Sequence, residues 1–509
     1  MKDEKVGLPR LWTIVRLEDV AHLQLGKMLD KARPKGSLHQ YLRNINVRWD
    51  AVETTDLLSM AFEDDELERF SIRDGDLLVC EGGEPGRAAV WKYGSTDLRF
   101  QKALHRVRFF GAISGRWAMY QLMLDASTGR LARGFTGSTI AHLPREKLAE
   151  YQLRVAPCAE QERIVDAVDS CLTRLDAAVA TLEAAQARLK AYRASVLKVA
   201  VEGRLVPTEA ALARAEKRGF EPADVLLKRI LSERRRRWEE AELAKLKAAG
   251  KSPRDDKWKA KYEEPKAPDT KALPELPEGW CWATLRLLGE LNRGKSKHRP
   301  RNDPRLLDGP YPFVQTGDVR NADTWLRAFD ATYSEFGRAQ SRLWPAGTMC
   351  ITIAANIAET AILTFDACFP DSVVGFLQED PLLTRYVELF LRTAKQRLDQ
   401  YAPATAQKNI NLEILSKVAV PLPPQDEQRR LVEEVDRLLS VAAAAMTSAQ
   451  TDEKRIARLR QAVLKWAFEG KLVDQDPNDE AAGKLLQRIR AERVDTEPLK
   501  RTRRARNAQ

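Results

Sequence analysis

The chain has 509 residues, 44% of them hydrophobic and 31% charged, an ordinary soluble composition with room for two or three domains. No apolar run is long enough for a membrane span and none follows Met1-Lys2-Asp3-Glu4-Lys5, so neither an anchor nor a secretory leader is expected and the location is read as cytoplasmic. A formal net charge of +11 hints at a polyanionic partner. Eight of the cations, however, lie in two clusters, Arg234 to Arg237 and Arg501, Arg503, Arg504 and Arg506, so charge alone does not make this a DNA-binding protein. The cysteines (Cys80, Cys158, Cys171, Cys281, Cys350, Cys368) form no CxxC pair and are expected as reduced core residues, with neither a zinc site nor a disulfide framework.

From Leu8 to residue 155, short runs such as Leu77-Leu78-Val79-Cys80 and Ala88-Ala89-Val90-Trp91 alternate with turn clusters such as Glu81 to Gly86. A helix suits Arg116 to Leu124, and the whole reads as an α+β domain with loop-rich surfaces. Asp74-Gly75-Asp76 with Glu81 reads as a turn before a strand, not as paired catalytic carboxylates. Lys27, Arg33, Lys35, His39, Tyr41, Arg43, Asn44, Asn46 and Arg48 are bunched, and Arg, Lys, Asn and Gln are the side chains that reach base edges and phosphates. Arg87 and Lys102 join Lys27, Arg33, Lys35, Tyr41, Arg43 and Asn44 as candidate DNA contacts.

After Pro157 the chain runs to Ala200 without glycine or proline. Val168, Leu175, Leu182, Leu189 and Val196 recur every seven residues, with Ile164, Leu172 and Val179 on the adjoining edge, which is a coiled-coil seam. A short amphipathic helix around Leu226 to Ile230 follows, outside the main domains, and residues 238–273, rich in Lys, Glu, Ala and Pro, read as a linker. A second α+β insert then spans 276–420. It offers strands at Met349 to Ile353 and Ala361 to Leu363, a helix at Leu383 to Tyr401, and a basic loop of Lys295, Lys297, His298, Arg299 and Arg301. Candidate contacts there are Lys295, Lys297, Arg299, Gln315 and Arg320. Beyond Pro423-Pro424 a second long helix carries Val435, Leu438, Leu439, Met446, Ile456, Leu459 and Val463, with alanines at 442–445. A short helix near Leu485 to Ile489 and a basic tail end the chain.

The most informative feature is that the frame is written twice. Residues 160–206 and 427–473 align at an offset of 267 without a gap, with 19 of 47 positions identical. Leu8-Pro9, Trp12 and Gly26-Lys27 match Leu276-Pro277, Trp280 and Gly294-Lys295 at an offset of 268. Between these ends the two inserts barely resemble each other. Paired about a pseudo-two-fold axis, the two helices are expected to run antiparallel, with Val168, Leu175, Leu182, Leu189, Val196, Val435, Leu439, Met446, Ile456 and Val463 as their interface.

Chemistry is not evident in the motifs. Gly289 to Ser296 fits GxxxxGK[ST], but Pro300 and Pro304 follow where a phosphate-binding helix must start, so no nucleotide site is expected. The histidines have no metal-ligand spacing, and GxSxG, HExxH and GxGxxG are absent.

Leu276-Pro277-Glu278-Gly279-Trp280, Pro424-Gln425-Asp426-Glu427-Gln428 and Ala467-Phe468-Glu469-Gly470-Lys471-Leu472-Val473, with looser twins at Leu8 to Trp12, Pro157 to Gln161 and Val201 to Val206, give the chain its family likeness. It resembles the specificity subunit of type I restriction–modification systems. The resemblance implies two target-recognition domains (1–155 and 273–420), two conserved spacer helices (156–206 and 421–473), a linker (207–272) and a C-terminal helix and tail (474–509). It implies a non-catalytic reader of double-stranded DNA, each domain reading half of an asymmetric split target. Two methyltransferase subunits would bring S-adenosylmethionine, and restriction subunits, where present, would bring ATP and Mg; no cofactor is implied in this chain. Thr136-Gly137-Ser138-Thr139 and Thr405-Ala406-Gln407-Lys408-Asn409 would lie close to DNA, which adds Ser138, Gln407 and Lys408 to the candidates. Two other readings are a coiled-coil scaffold with non-specific DNA binding and an ATP-dependent enzyme built on the Gly289 loop.

Overall fold

The computed structural model describes residues 7–29, 35–94, 96–137, 141–250, 253, 255–354, 358–400 and 411–496. It divides into two compact units: Met1–Glu183 with Gln450–Gln509, and Ala184–Ala449. Arg33, Ser138, Gln407 and Lys408 lie outside the described residues.

The first unit is built on a four-stranded antiparallel sheet, in the order Ala21–Leu25, Leu104–Phe109, Leu77–Cys80, Ala88–Val90. A second sheet orders Leu58–Phe62, Ser37–Leu42 and Arg99–Phe100, the last pair parallel through Tyr41–Arg99 and Leu42–Phe100. Leu77 to Cys80 are all buried, as a strand covered on both faces requires. The helix Gly115–Ser127 starts where the Ser114 hydroxyl accepts from the Trp117 amide, and it buries Trp117, Met119, Tyr120 and Leu122.

The second unit repeats this plan. Its main sheet runs Glu290–Arg293, Val373–Leu377, Met349–Thr352, Thr360–Leu363, with Trp325–Leu326 added at the edge. Its second sheet places Leu307–Phe313 between Ala331–Tyr333 and Ala367–Cys368, again with one parallel pairing, Phe313–Cys368. The helix Pro381–Gln400 takes the place of Gly115–Ser127. Two inserts with little sequence in common therefore share one central strand order, the second adding Trp325–Leu326 and Leu343–Trp344 at its sheet edges.

Each insert is closed by a short antiparallel pair of strands, Thr13–Arg16 with Gln152–Val155 and Cys281–Thr284 with Ala419–Leu422. The long helices follow immediately, Cys158–Val201 and Gln425–Phe468, each 44 residues and about 66 Å long at 1.5 Å per residue. Their first turns share a bond: the Gln161 and Gln428 side chains donate to the carbonyls of Ala156 and Pro423, both at 2.8 Å. Their last turns match too. Gly203 and Gly470 both adopt φ of +67°, and the amides of Arg204 and Lys471 reach back to Val199 and Trp466. That is a left-handed C-terminal cap, which glycine adopts without strain.

In the first unit Ile164, Val165 and Val168 share a core with Leu464, Ala467 and Phe468, and Asp176 pairs with Arg460, so these helix segments run antiparallel. In the second, Val196 and Ala200 share a core with Leu431, Val435 and Leu439. Along the seam Val168, Val196, Val435, Leu439 and Ile456 are buried, and Leu175, Leu182, Leu189, Met446 and Val463 are half-buried. Leu459, expected on the stripe, is exposed.

The sequence echo after each long helix has a structural role that its reading as a peripheral helix missed. The amide of Ala482 donates to Leu11 and that of Ala223 to Gly279, so each short helix starts against the opening of an insert. Leu485, Leu486 and Ile489 enter the core of the first unit; Ala223, with Leu227, Ile230 and Leu231, enters that of the second. The helix Ala223–Ala248 continues through residues 238–248, expected as linker, and Trp238 stacks on Trp258. Residues 289–296 contain the strand Glu290–Arg293, with no helix directly after it. Cys80, Cys350 and Cys368 are buried as expected, while Cys158, Cys171 and Cys281 are half-buried. No described helix is long and apolar enough to cross a membrane.

Candidate nucleic-acid interface

In the first unit the strand Ala21–Leu25 ends in Gly26-Lys27, whose amides donate to Leu104 and Phe100 at 3.0 and 3.1 Å. A Cβ at Gly26 would collide with the Gln101 carbonyl, so only glycine lets the two backbones approach this closely. The Lys102 amide donates to the Lys27 carbonyl at 2.9 Å and its exposed side chain lies next along the edge. The Glu81 amide bonds Ala103 and draws in the turn 81–87. There the Asn44 amide side chain donates to Gly82 at 3.0 Å, and Arg87 donates to the Asn44 carbonyl at 2.9 Å and to Glu84 at 2.7 Å. Gly82 also pairs with His142, and Thr136 and His142 exchange two backbone bonds of 2.8 Å.

The structure thus brings Lys27, Lys102, Asn44, Arg87, Thr136 and His142 to one edge. It does not leave them all free. Lys27 pairs with Glu66 and lies 5.1 Å from the Phe62 ring centre, and Arg43 donates to Asp56 at 2.7 Å. Lys35 is exposed; Arg48 pairs with Glu53, and His39 contacts Asp97 at 3.0 Å. Tyr41 must be withdrawn from the candidates. It is 3% exposed and packs in the core with Phe62 and Phe100, because its strand is covered there by the neighbouring layer. Asn46 is likewise buried, donating to the carbonyls of Glu53 and Asp56. Arg69 and Arg145 were missed: with Lys27, Glu66 and Glu81 they line a cavity of about 640 Å³ beside the edge. Nothing in their local sequence marks them, since strand order alone brings them there.

The second unit repeats the geometry with other side chains. Gly294-Lys295 ends the strand Glu290–Arg293, its amides donating to Val373 and Phe369 at 2.9 and 3.2 Å, and a Cβ at Gly294 would meet the Phe369 carbonyl. The residues bonded here, Phe100 and Phe369, correspond at an offset of 269, inside the segment where sequence alignment fails. Lys295, Lys297 and Arg299 are exposed. Their loop is folded on itself: the Gln340 side-chain oxygen accepts the amides of Lys297 and His298 at 2.5 and 3.0 Å, and Arg299 donates to the Ser296 and His298 carbonyls. Bonds from Arg305 and His298 hold the Asp303 carboxyl well below the usual range, so it is an anion anchoring the loop. Arg301 pairs with Asp371. Gln315, exposed, precedes the short helix Thr316–Asn321, its amide bonded to Asp318 at 2.7 Å, and Arg320 is exposed in the last turn.

Behind each edge an ion pair fastens the insert to its long helix. Arg116 donates to Asp169 at 2.8 Å in the first unit, and Arg385 pairs with Asp436 in the second; the two aspartates are 267 residues apart. The adjoining aromatic residues repeat as well, the Trp117 indole donating to the Arg154 carbonyl at 2.7 Å and the Tyr386 hydroxyl to that of Pro421 at 2.5 Å.

Residues 277–450 match the family model described as the type I restriction modification DNA specificity domain. The chain is 24% identical over 365 residues to the type I restriction enzyme EcoAI specificity subunit of Escherichia coli, covering 59% of this chain and 55% of the relative. It is 23% identical over 452 residues to the EcoBI specificity subunit of the same species, covering 84% and 81%. The match thus spans about half the length of the EcoAI protein. In fold the chain resembles the crystal structure of the HsdS subunit from Thermoanaerobacter tengcongensis, with a TM-score of 0.51 at 17% identity over 92% of this chain and all of that one. It also resembles a chain from work on complex assembly and conformational transition of the type I R-M system, with a TM-score of 0.61 at 17% identity over 91% and 99%. With a duplicated frame, two inserts of one central strand order and these matches together, residues 277–450 carry a type I restriction modification DNA specificity domain, and the chain as a whole is similar to the specificity subunits of type I restriction–modification systems.

Proposed function

We propose that this chain is a non-catalytic DNA reader whose two recognition domains, 1–155 and 273–420, each bind one half of an asymmetric split target. The observation that carries this reading is the paired edge. Gly26-Lys27 and Gly294-Lys295 hold the same place in the same central strand order, yet the side chains around them differ. Two identical readers would select a palindrome; two unlike readers on one frame select two unlike half-sites. Exposed Lys102, Lys295, Lys297, Arg299 and Arg320 supply phosphate and base contacts, with Arg33, Lys35, Ser138, Gln315, Gln407 and Lys408 as further candidates. The spacer helices, 156–206 and 421–473, pair as a coiled coil, set the unread gap and dock two methyltransferase subunits. Those subunits bring S-adenosylmethionine and the adenine chemistry, restriction subunits add ATP-dependent cleavage, and the assembly acts on DNA in the cytoplasm.

The test is selection from a random duplex pool by the purified complex with its methyltransferase, followed by sequencing of the bound fraction. Enrichment of two unlike blocks at a fixed separation supports the reading. Salt-sensitive binding without enrichment of any sequence supports a scaffold that binds DNA non-specifically.

A further inference from the structure

In the first unit the clamp behind the reading edge has an extra member. Arg116 donates through one nitrogen to Asp169 of the long helix at 2.8 Å and to Asp50 at 2.9 Å, and the Tyr120 hydroxyl donates to Asp169. Asp50 sits at φ of +57°, in the turn between the paired strands Val47–Arg48 and Ala51–Val52. A left-handed turn residue is most often glycine, asparagine or aspartate. An aspartate there supplies a charge that the turn itself does not need.

The other end of this hairpin is at the reading edge. Asn44 enters the hairpin and holds the 81–87 turn through Gly82 and Arg87, and Gly82 in that turn pairs with His142, which pairs with Thr136. The hairpin itself is stiff, since Asn46 bonds Glu53 and Asp56 and Arg43 bonds Asp56. Polar contacts therefore run from Asp169 through Arg116 to Asp50, the hairpin backbone continues from Asp50 to Asn44, and the Asn44 bonds reach the edge. In the second unit Arg385 pairs with Asp436 but turns its other nitrogen to Glu388 of its own helix.

We infer that Asp50 is a positioning residue for one half-site only: by way of Arg116 it fixes the 44–52 hairpin, and with it the first reading edge, on the first long helix. Reading bases demands that donors and acceptors be held to within a fraction of an ångström, so a loosened support costs discrimination before it costs folding. This inference rests on the proposed function above.

The experiment uses the full complex with its methyltransferase and compares wild type, Asp50→Asn and Asp169→Asn. Asparagine tolerates the left-handed turn and keeps the shape while removing the charge. Methylation rates are measured on the cognate duplex and on duplexes with a single base pair changed in either half. Both variants are expected to lose about tenfold in discrimination at one half-site, with the other half-site and the gap preference unchanged. Equal loss in both halves, or no change in either, overturns the role of Asp50 while leaving the split-target reading intact. A wild-type complex without any split-sequence preference overturns that reading and this inference with it.

Discussion

The indole of Trp12 donates to the carboxylate of Glu160 at 2.9 Å, both side chains being buried. Trp280 and Glu427 repeat the contact at 3.0 Å. Each pair ties the opening of an insert to the first turn of the long helix that follows it. The copies differ in one respect. The second oxygen of Glu427 accepts the Glu209 amide at 2.8 Å, whereas the second oxygen of Glu160 has no partner among the described residues.

That difference sets an order of stabilities. Replacing Trp12 by phenylalanine leaves Glu160 without a hydrogen bond and is expected to cost about 2–3 kcal/mol, near the upper end for a stranded buried charged group. Trp280→Phe leaves Glu427 its amide donor and should cost about 1–2 kcal/mol. Denaturant unfolding of the two variants checks the order, and an equal or reversed cost contradicts it.

Burial raises the carboxyl of Glu160 above its ordinary value, the bond from Trp12 offsetting only part of the shift. Below the unfolded value, about 4.3, both states hold the proton and the group is neutral to stability. As pH rises from there the unfolded chain releases its proton first, so stability falls until the folded value is passed and then levels off. Glu160→Gln keeps an oxygen for the indole and cannot ionise. Its stability relative to wild type should therefore climb as pH rises through that window. Unfolding measured at pH 4, 5, 6 and 7 tests this, and a difference that stays constant with pH contradicts it.

The frame was legible in the sequence because its constraints are local and repeated. Proline before each helix, the glycine that caps it and the seven-residue stripe each act within a few residues, and duplication doubles every signal. The common strand order of the inserts was not legible. Strand order is held by pairings such as Val107–Leu77 and Ile351–Val374, where any apolar pair of fitting size will do, so residue identity drifts while the fold stays. The site was half legible. Gly26-Lys27 and Gly294-Lys295 stood out because only glycine fits there, whereas Tyr41 was misplaced by residue type alone when its strand position buries it. Arg116 and Asp169 went unnoticed because their meeting depends on the packing of two helices, the two residues being 53 apart in sequence.

Exposure separates lysines that can hold phosphate from those already engaged. Lys295→Ala, Lys297→Ala and Arg299→Ala together should weaken binding to every duplex alike and lower the slope of log affinity against log salt by about 0.9 for each phosphate no longer neutralised. Lys27→Ala removes the partner of Glu66 and should register mainly as lower stability of the first unit, with a smaller change in salt slope. Fluorescence anisotropy over a salt series, with melting curves alongside, distinguishes the two. A salt slope unchanged by the triple substitution removes the 295–299 loop from the interface.

We propose that two unlike readers on one duplicated frame select one asymmetric split sequence. The test is to express the chain with the proposed methyltransferase partner in a host lacking other adenine methylation and to map modified adenines by single-molecule sequencing. A single motif of two unlike blocks at a fixed gap is expected, and exchange of residues 273–420 for another recognition domain should change one block only. A palindromic motif, a single contiguous one, or a stable complex that methylates without sequence preference would contradict it.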